Sequence, residues 1–503
     1  MTSIVHKIQN TFSKPIIWQS IILFFFFALY LTTGVTNHYL FRSFTWDYGI
    51  YNFAFGDYAH FRISPCPLYD VNGSRVNFLQ DHFSFTLFFL IPFYWLLNWL
   101  TGTYTLLILQ TVAIISSGWV LSKYISLKAN NVWIGLAAML YYFLMQARYA
   151  AMYSDCNLAI FSNCLIPFFF YFFEKKKYPA AVIIFLIALV SREDMSLVFI
   201  FILLTLFIIH WKEKQRRIFC AVLIVVSLSY FILLFSVFIP AVEAPGKHYS
   251  LFSYAALGPT PWEALKFILT HPARVFHLLF YNHLNDPQFD NVKTEFYITY
   301  LISGGFILLF KPQYIIWFIP IIAQKMFDDG AGRWSIYAYY AVPVATMLPI
   351  SAFLIIGNIK KVYFKYTTAM LFCLLAWFAT DRSFGLEQRA MPYTWPLKEN
   401  MFDAHFFESK LNINKVYKSL ALIPDDAKVS ASNFYVPHLS QRRYIYFFPD
   451  VRDADYIVVH QLWDNFIAAE KTYLSTVQDY LHNPNWVVVE NDFPFLLLKK
   501  KQP

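Results

Sequence analysis

The chain has 503 residues, of which 58% are hydrophobic and 21% aromatic, and only 14% carry charge, well below the quarter usual in soluble domains. Its formal net charge of +9 sits in short basic loops between apolar runs, the pattern of membrane orientation, which excludes a nucleic-acid partner. Five cysteines, Cys66, Cys156, Cys164, Cys220 and Cys373, are odd in number and scattered, mostly inside apolar runs, which excludes a disulfide framework and a paired-cysteine metal site.

Lys7 and Lys14 precede the first apolar run as in a signal peptide, but no small-residue cleavage site follows, so a retained first helix is expected. A helix rises ~1.5 Å per residue against ~30 Å of hydrocarbon. Runs long enough to span lie at 16–34, 104–122, 132–149, 156–173, 218–240, 337–356 and 363–380, with shorter ones at 179–191, 195–210, 296–310 and 312–325. That makes eleven spans. The segment "HFSFTLFFLIPFYWLLNWL", 82–100, is apolar enough to be another, and loop charges decide against it. With the N-terminus cytoplasmic and 82–100 not crossing, the cytoplasmic loops hold fifteen Lys or Arg and two acids, Glu174 and Glu213. Were 82–100 to cross, "EKKK" and "KEKQRR" would lie outside, against the positive-inside tendency. The segment is therefore expected to be re-entrant or surface-lying, a helix pair broken near Pro92.

Past residue 380 the composition becomes that of a soluble domain, with fourteen basic and fifteen acidic residues. A helix at 408–421, strands at "KVSAS", "RYIYF" and "DYIVV", a helix at 465–482 and a closing pair "WVVVE" and "FPFLLLK" predict a small α/β domain. The expected architecture is mostly α, a polytopic transmembrane domain over 1–380 with a large first outer loop, 35–103, followed by an extracytoplasmic α/β domain over 381–503. No phosphate loop or nucleophile elbow occurs, so the second domain is read as structural or substrate-capping.

This topology gathers polar residues on one side: Asp47, Asp57, Asp70, Asp81 and His82, then Arg148 and Asp155, then Arg192, Glu193 and Asp194, then Asp328, Asp329 and Arg333. Ion-coupled transporters place such residues near the midplane instead. In "TWDYGIYNFAF", Asp47 is either a solvated carboxylate among interfacial aromatics or a general base walled by Trp46, Tyr48 and Tyr51. In "QDHFS", Asp81 and His82 either cap an apolar helix or bind a cation or phosphate. "SREDMS" puts three charges between two short apolar runs, read either as a hairpin with an internal ion pair or as charges held by specific partners.

"FTWDYGIYNFAF", "DHFSFTLFFLIPFYWLL", "LQTVAI", "LVSREDMSLV" and "IPDDAKVSASNFYVPHLSQRRYIYFFPDVRDADYIVV" resemble, in this order from about 44 to 460, the blocks of the membrane family called domain of unknown function 2079. That family in turn resembles the GT-C glycosyltransferases, relatives of protein mannosyltransferases. The resemblance implies a sugar transferred from a polyprenyl-phosphate donor at the outer face of the cell membrane to a glycan, lipid or protein acceptor. It places Asp47 as the first-loop acid. The "DHFS" block resembles the juxtamembrane His-Pro-Pro-Leu element of that superfamily, with Phe85 where proline is usual. On this reading Asp81 and His82 position an acceptor or hold a divalent cation, Mg or Mn. Arg148, Arg192 or Arg333 would be the phosphate partners, and Asp155, Glu193 and Asp194 complete the substrate site. Two rival classes remain, a flippase for a polyprenyl-linked amphiphile and a non-enzymatic assembly factor.

Overall fold

Apolar stretches in the computed structural model, which describes residues 14–69, 76–242, 252–386, 390, 400–463 and 469–501, fold almost wholly into helices. Lys7 and Asp70 lie outside the described residues. Among the described residues, five helical runs are long and apolar enough to cross a membrane: Pro15–Tyr39, Thr86–Ala129, Lys214–Val242, Ala331–Gly357 and Val362–Phe384. Shorter apolar helices are Val132–Leu144, Leu158–Glu174, Tyr178–Ser191 and Met195–Ile209. Pro15 opens the first of the long helices, where its missing N–H costs nothing and its fixed φ favours the helix.

Several expected elements take a different form. Segment 82–100 is not broken at Pro92: one helix, Thr86–Thr101, runs through it, and the chain turns only at Gly102, with φ 50°. A proline removes one ladder hydrogen bond, and flanking apolar packing keeps the helix continuous. Rings on one side of this helix, Phe88 and Tyr94, pack on Tyr58 and Phe55 of the helix Ile50–Ala59. The run 132–149 is kinked at Met145, whose ψ of 130° leaves the helix. The runs 296–310 and 312–325 divide into Val292–Ile302, two 3₁₀ segments and Ile319–Met326. Gly304, at φ 104°, and Pro312 make those breaks.

Helices approach closely where side chains are small. A Cβ on Gly135 would lie 2.4 Å from the Ser122 carbonyl oxygen, so Val132–Leu144 meets Thr105–Ala129 nearly backbone to backbone. At one end of the bundle the basic loops meet. Glu174 accepts from Lys128 at 3.2 Å and from Arg216 at 3.3 Å, and Asn131 donates to the Tyr366 hydroxyl at 2.8 Å. Loops 123–131, 174–178, 211–217 and 357–365 thus share one end.

The opposite end carries the sheet. Strands β1 (Val429–Ala431), β2 (Ile445–Phe447), β3 (Tyr456–His460), β4 (Trp486–Asp492) and β5 (Phe495–Lys500) are ordered β2-β1-β3-β5-β4. β1 pairs in parallel with β2 and β3, while β3–β5 and β5–β4 are antiparallel. The five strands fall where alternation predicts them. The expected helix 408–421 shortens to Ile413–Leu420 because the Asn412 side chain caps it from Lys415 N–H. The helix expected over 465–482 is seen as Glu470–His482, and residues 464–468 lie outside the described part.

Candidate functional site

Asp47 sits in the turn Thr45–Gly49 between two helices, with φ 66° and ψ −80°, the strained form of γ-turn that non-glycine residues rarely adopt. Three hydrogen bonds to two neighbours hold that backbone in place. Asp155 Oδ2 accepts from Phe44 N–H at 3.2 Å, Asn433 Oδ1 accepts from Thr45 N–H at 2.9 Å, and Thr45 Oγ1 donates to the Asn433 carbonyl at 3.2 Å. Behind it Gly49 lies close to the segment after β1, since a Cβ there would stand 3.0 Å from Val436 Cγ1, a tight contact. The loop that carries Asp47 is therefore clamped between the helical bundle, through Asp155, and the sheet, through the residues that follow β1.

The Asp47 carboxylate accepts from the Tyr51 hydroxyl at 3.1 Å and from Asn157 Nδ2 at 3.3 Å. Both donors are neutral. Burial is the largest influence on it and raises its pKa, with the nearby Asp155 charge adding to the rise. The His82 charge and the two hydrogen bonds pull part of the way back. The group is a carboxylate held above its usual basicity.

Around it the structure brings together most of the residues expected from sequence. Arg192 Nε lies 3.3 Å from Asp194 Oδ1 and 4.0 Å from Glu193 Oε1. Glu193 is largely buried with Oε2 lacking a hydrogen-bond partner among the described residues, and burial raises its pKa while Arg192 and His82 oppose the rise. Arg333 donates to Asp328 Oδ2 at 2.9 Å, and burial raises the Asp328 pKa against that pull. The "DHFS" block reaches the same place from below. Ser84 Oγ at 2.5 Å and Thr86 Oγ1 at 2.8 Å both donate to the Ser191 carbonyl, and Phe85 N–H donates to Val190 O at 3.0 Å. These bonds take up the carbonyls freed where the helix Tyr178–Ser191 ends in the extended Arg192.

Three residues were not legible as members of the group. The phenols of Tyr339 and Tyr340, rings 4.4 Å apart, lie within electrostatic reach of Asp47, with Arg192 next to Tyr339 and Arg333 next to Tyr340. Tyr254 lies within reach of both arginines. The aromatic run "YAYY" soon after Arg333 was the signal available for the first two.

Other expected members are placed elsewhere. Tyr48 is fully buried, points its hydroxyl at the Thr103 carbonyl and packs on His38, so it is no part of a wall with Tyr51. Trp46 is exposed at the rim, edge-on to Tyr69. Arg148 is fully buried, donates to the Ala345 carbonyl at 3.1 Å and to Thr346 Oγ1 at 2.7 Å, and stacks 3.9 Å from the Tyr142 ring centre, facing the bundle rather than Asp47. Asp57 accepts from Arg62 Nε at 2.8 Å and Ser64 N–H at 2.6 Å, a structural pairing. Asp81 does not cap the apolar helix. It closes the one-turn helix Phe78–Asp81, which Asn77 caps reciprocally with Gln80.

Asp81 Oδ2 and His82 Nε2 lie 3.5 Å apart. Among the described residues no third His, Cys, Asp or Glu joins them, so the pair does not form a protein-built Mg or Mn cage.

The profile of one family, described as "Predicted membrane protein (DUF2079)", matches residues 37–501. The chain belongs to that family. The match takes in the Asp47 turn, the "SRED" turn, Arg333 and all five strands, so in DUF2079 terms the bundle and the sheet are one unit. Among curated proteins none matches.

Proposed function

We propose that this chain is a membrane glycosyltransferase of GT-C type that moves a sugar from a polyprenyl-phosphate donor to an acceptor at the outer face of the cell membrane. The observation that carries the reading is the grouping of one strained, half-buried carboxylate, Asp47, with two guanidinium groups, Arg192 and Arg333, at one end of an apolar bundle. In the proposed reaction an acceptor hydroxyl gives its proton to Asp47 as its oxygen bonds to the anomeric carbon. The bond from that carbon to the donor phosphate oxygen breaks, and the lipid phosphate leaves with the electron pair. Arg192 and Arg333 each spend one edge on an aspartate and keep donors for phosphate oxygens. Tyr51, Tyr339 and Tyr340 offer ring faces and hydroxyls to the sugar. No step is assigned to a cation.

A cavity of about 190 Å³ supports a lipid-linked donor. Thr86 and Ser191, beside Arg192, form part of its wall, and Leu90, Phe161, Leu165 and Phe168 line it with hydrocarbon. A chain seated there has its phosphate near Arg192. The same cavity supports a second reading, a flippase for such a lipid, in which Asp47 is dispensable. In the topology proposed, eleven spans place the N-terminus in the cytoplasm and the sheet outside.

The two readings part at Asp47→Asn, assayed with a synthetic polyprenyl-phosphate sugar in vesicles. Loss of a general base lowers transfer by ~10²- to 10⁴-fold. Donor binding, followed by native mass spectrometry, is expected to persist. Retention of more than about a tenth of the wild-type rate, well short of that loss, sinks the transferase reading.

A further inference from the structure

Helices Pro261–Thr270 and Pro272–Leu278 form a hairpin on the same end of the molecule as Asp47. Thr260 caps the first helix and Pro272 separates the two. One side of the hairpin is accounted for: Ala264, Phe267, Val275 and Leu278 pack against Leu257, Ala323 and Phe327. The other side is apolar as well. Trp262 and Leu269 are each 73% exposed, Phe276 is 65% exposed, and Leu265 and Phe280 are exposed beside them among the described residues. At helical spacing 262, 265 and 269 share one face, with 264 and 267 opposite. Lys266 and Arg274 accompany the exposed rings, with Glu263 the one acid between Trp262 and Tyr281.

A surface helix that is apolar on its packed side and again on its open side is covered by something other than water. The flanking helices supply the reason to name it. Lys214–Val242 before the hairpin exposes Val222, Val225, Leu228 and Ile232, and Val292–Ile302 after it exposes Ile298 and Leu301. The hairpin's second helix meets the latter, with the Phe280 and Tyr297 rings 5.0 Å apart. Aromatic residues with interspersed basic ones are the composition of an interfacial helix, its cations reaching up to anionic headgroups.

We propose that this hairpin lies along the bilayer surface, with Trp262, Leu265, Leu269 and Phe276 immersed at the top of the acyl chains and Lys266 and Arg274 at the headgroups. Its height is passed to the candidate site through fixed contacts. Asp329 N–H donates to the Ser253 carbonyl at 2.9 Å, and its carboxylate accepts from Ala255 N–H at 2.9 Å. Lys293 Nζ ties the carbonyls of Leu278, at 2.6 Å, and Met326, at 2.7 Å, across the two segments. The loop that presents Arg333 is thereby held at a set depth. The inference rests on the membrane setting and not on sugar transfer, so the two fail separately.

Leu269→Cys tests it in the full-length protein, since all five native cysteines are buried and a thiol-reactive nitroxide goes to the new one. The residue is 73% exposed and lies off the packed side of the hairpin, so the substitution leaves that packing intact. Ser475→Cys, exposed on the helix Glu470–His482, is the aqueous reference. In vesicles of phosphatidylcholine and phosphatidylglycerol, the label at 269 is expected to collide readily with oxygen and several-fold less than the 475 label with a water-soluble nickel chelate. A 269 label as open to nickel as the 475 label overturns the proposal. So does one shielded from both reagents, which would mean that protein covers the face.

Discussion

Asp47 precedes the helix Ile50–Ala59 and Asp57 lies in its last turn, in opposite circumstances. Asp57 meets the Arg62 guanidinium and two donors of Ser64, whereas Asp47 meets neutral donors in a strained turn. Asp57→Asn loses the charge and one acceptor position in a buried network, at a cost of about 1–3 kcal/mol, seen as a lower Tm and a normal rate per folded molecule. Asp47→Asn goes the other way. Burial raises the folded pKa of Asp47 above its unfolded value, so its favourable contribution is present below the unfolded pKa and is lost as pH rises through the folded one. Ionising the carboxylate as pH rises therefore weakens the fold. Removing it should leave Tm equal or higher at pH 7, with the difference from wild type closing in acid; a lower Tm at pH 7 would show that its hydrogen bonds outweigh its desolvation. If Asp47 is the proposed base, the same raised pKa should move the acid limb of the proposed transfer above the pH expected for an ordinary aspartate, which a profile of kcat/KM measures. Sequence alone made Asp47 a candidate, because a carboxylate among rings is chemically conspicuous. It made Tyr48 one too, since side-chain direction in an irregular turn is not written in its neighbours.

At the scale of elements, apolar runs made the helices legible while most of their breaks stayed hidden. Gly304 and Pro312 announce themselves, but Met145 kinks its run with no local breaker in place, so the cause is tertiary. The role of "DHFS" was hidden for the same reason, since the carbonyl that Ser84 binds lies 107 residues away. Its hydroxyls hold the end of the helix from which Arg192, Glu193 and Asp194 project. Ser84→Ala together with Thr86→Val leaves the buried Ser191 carbonyl without those donors, a loss of about 1–3 kcal/mol, and should loosen the "SRED" turn. Limited proteolysis near residue 193 reads this directly, and unchanged resistance would show the cap to be dispensable. Within the turn, Glu193→Ala or Asp194→Ala removes a carboxylate facing Arg192 in a nearly closed site, so function or folding should fall. Lys176→Ala, on an exposed loop, should stay within about 0.5 kcal/mol of wild type.

The whole molecule joins what composition separates. From sequence the segment past 380 reads as a domain of its own, and its strands are where alternation puts them, yet its β1 end reaches into the Asp47 turn through Asn433. Arg42 ties the turn's approach to the same segment, donating to Phe406 O at 2.8 Å and Glu408 O at 2.6 Å. Contacts of this kind join residues more than three hundred positions apart and leave no periodic trace. They also link topology to chemistry: wherever the sheet lies, Asp47 lies too, and the Lys128–Glu174–Arg216 cluster marks the other end. Basic loops remain on the cytoplasmic side during insertion, so that cluster should face the cytoplasm and the sheet the exterior. Alkaline phosphatase, active only outside the cytoplasm, fused after residue 400 should be active, and the same enzyme inserted near residue 176 should not. The reverse pair would invert the molecule and place Asp47, Arg192 and Arg333 on the cytoplasmic side, where an outer-face acceptor is out of reach. Activity at both positions would instead mean a change in the number of crossings before residue 176, where Thr86–Thr101 is the apolar helix left out of the eleven, and a second change between residues 176 and 400.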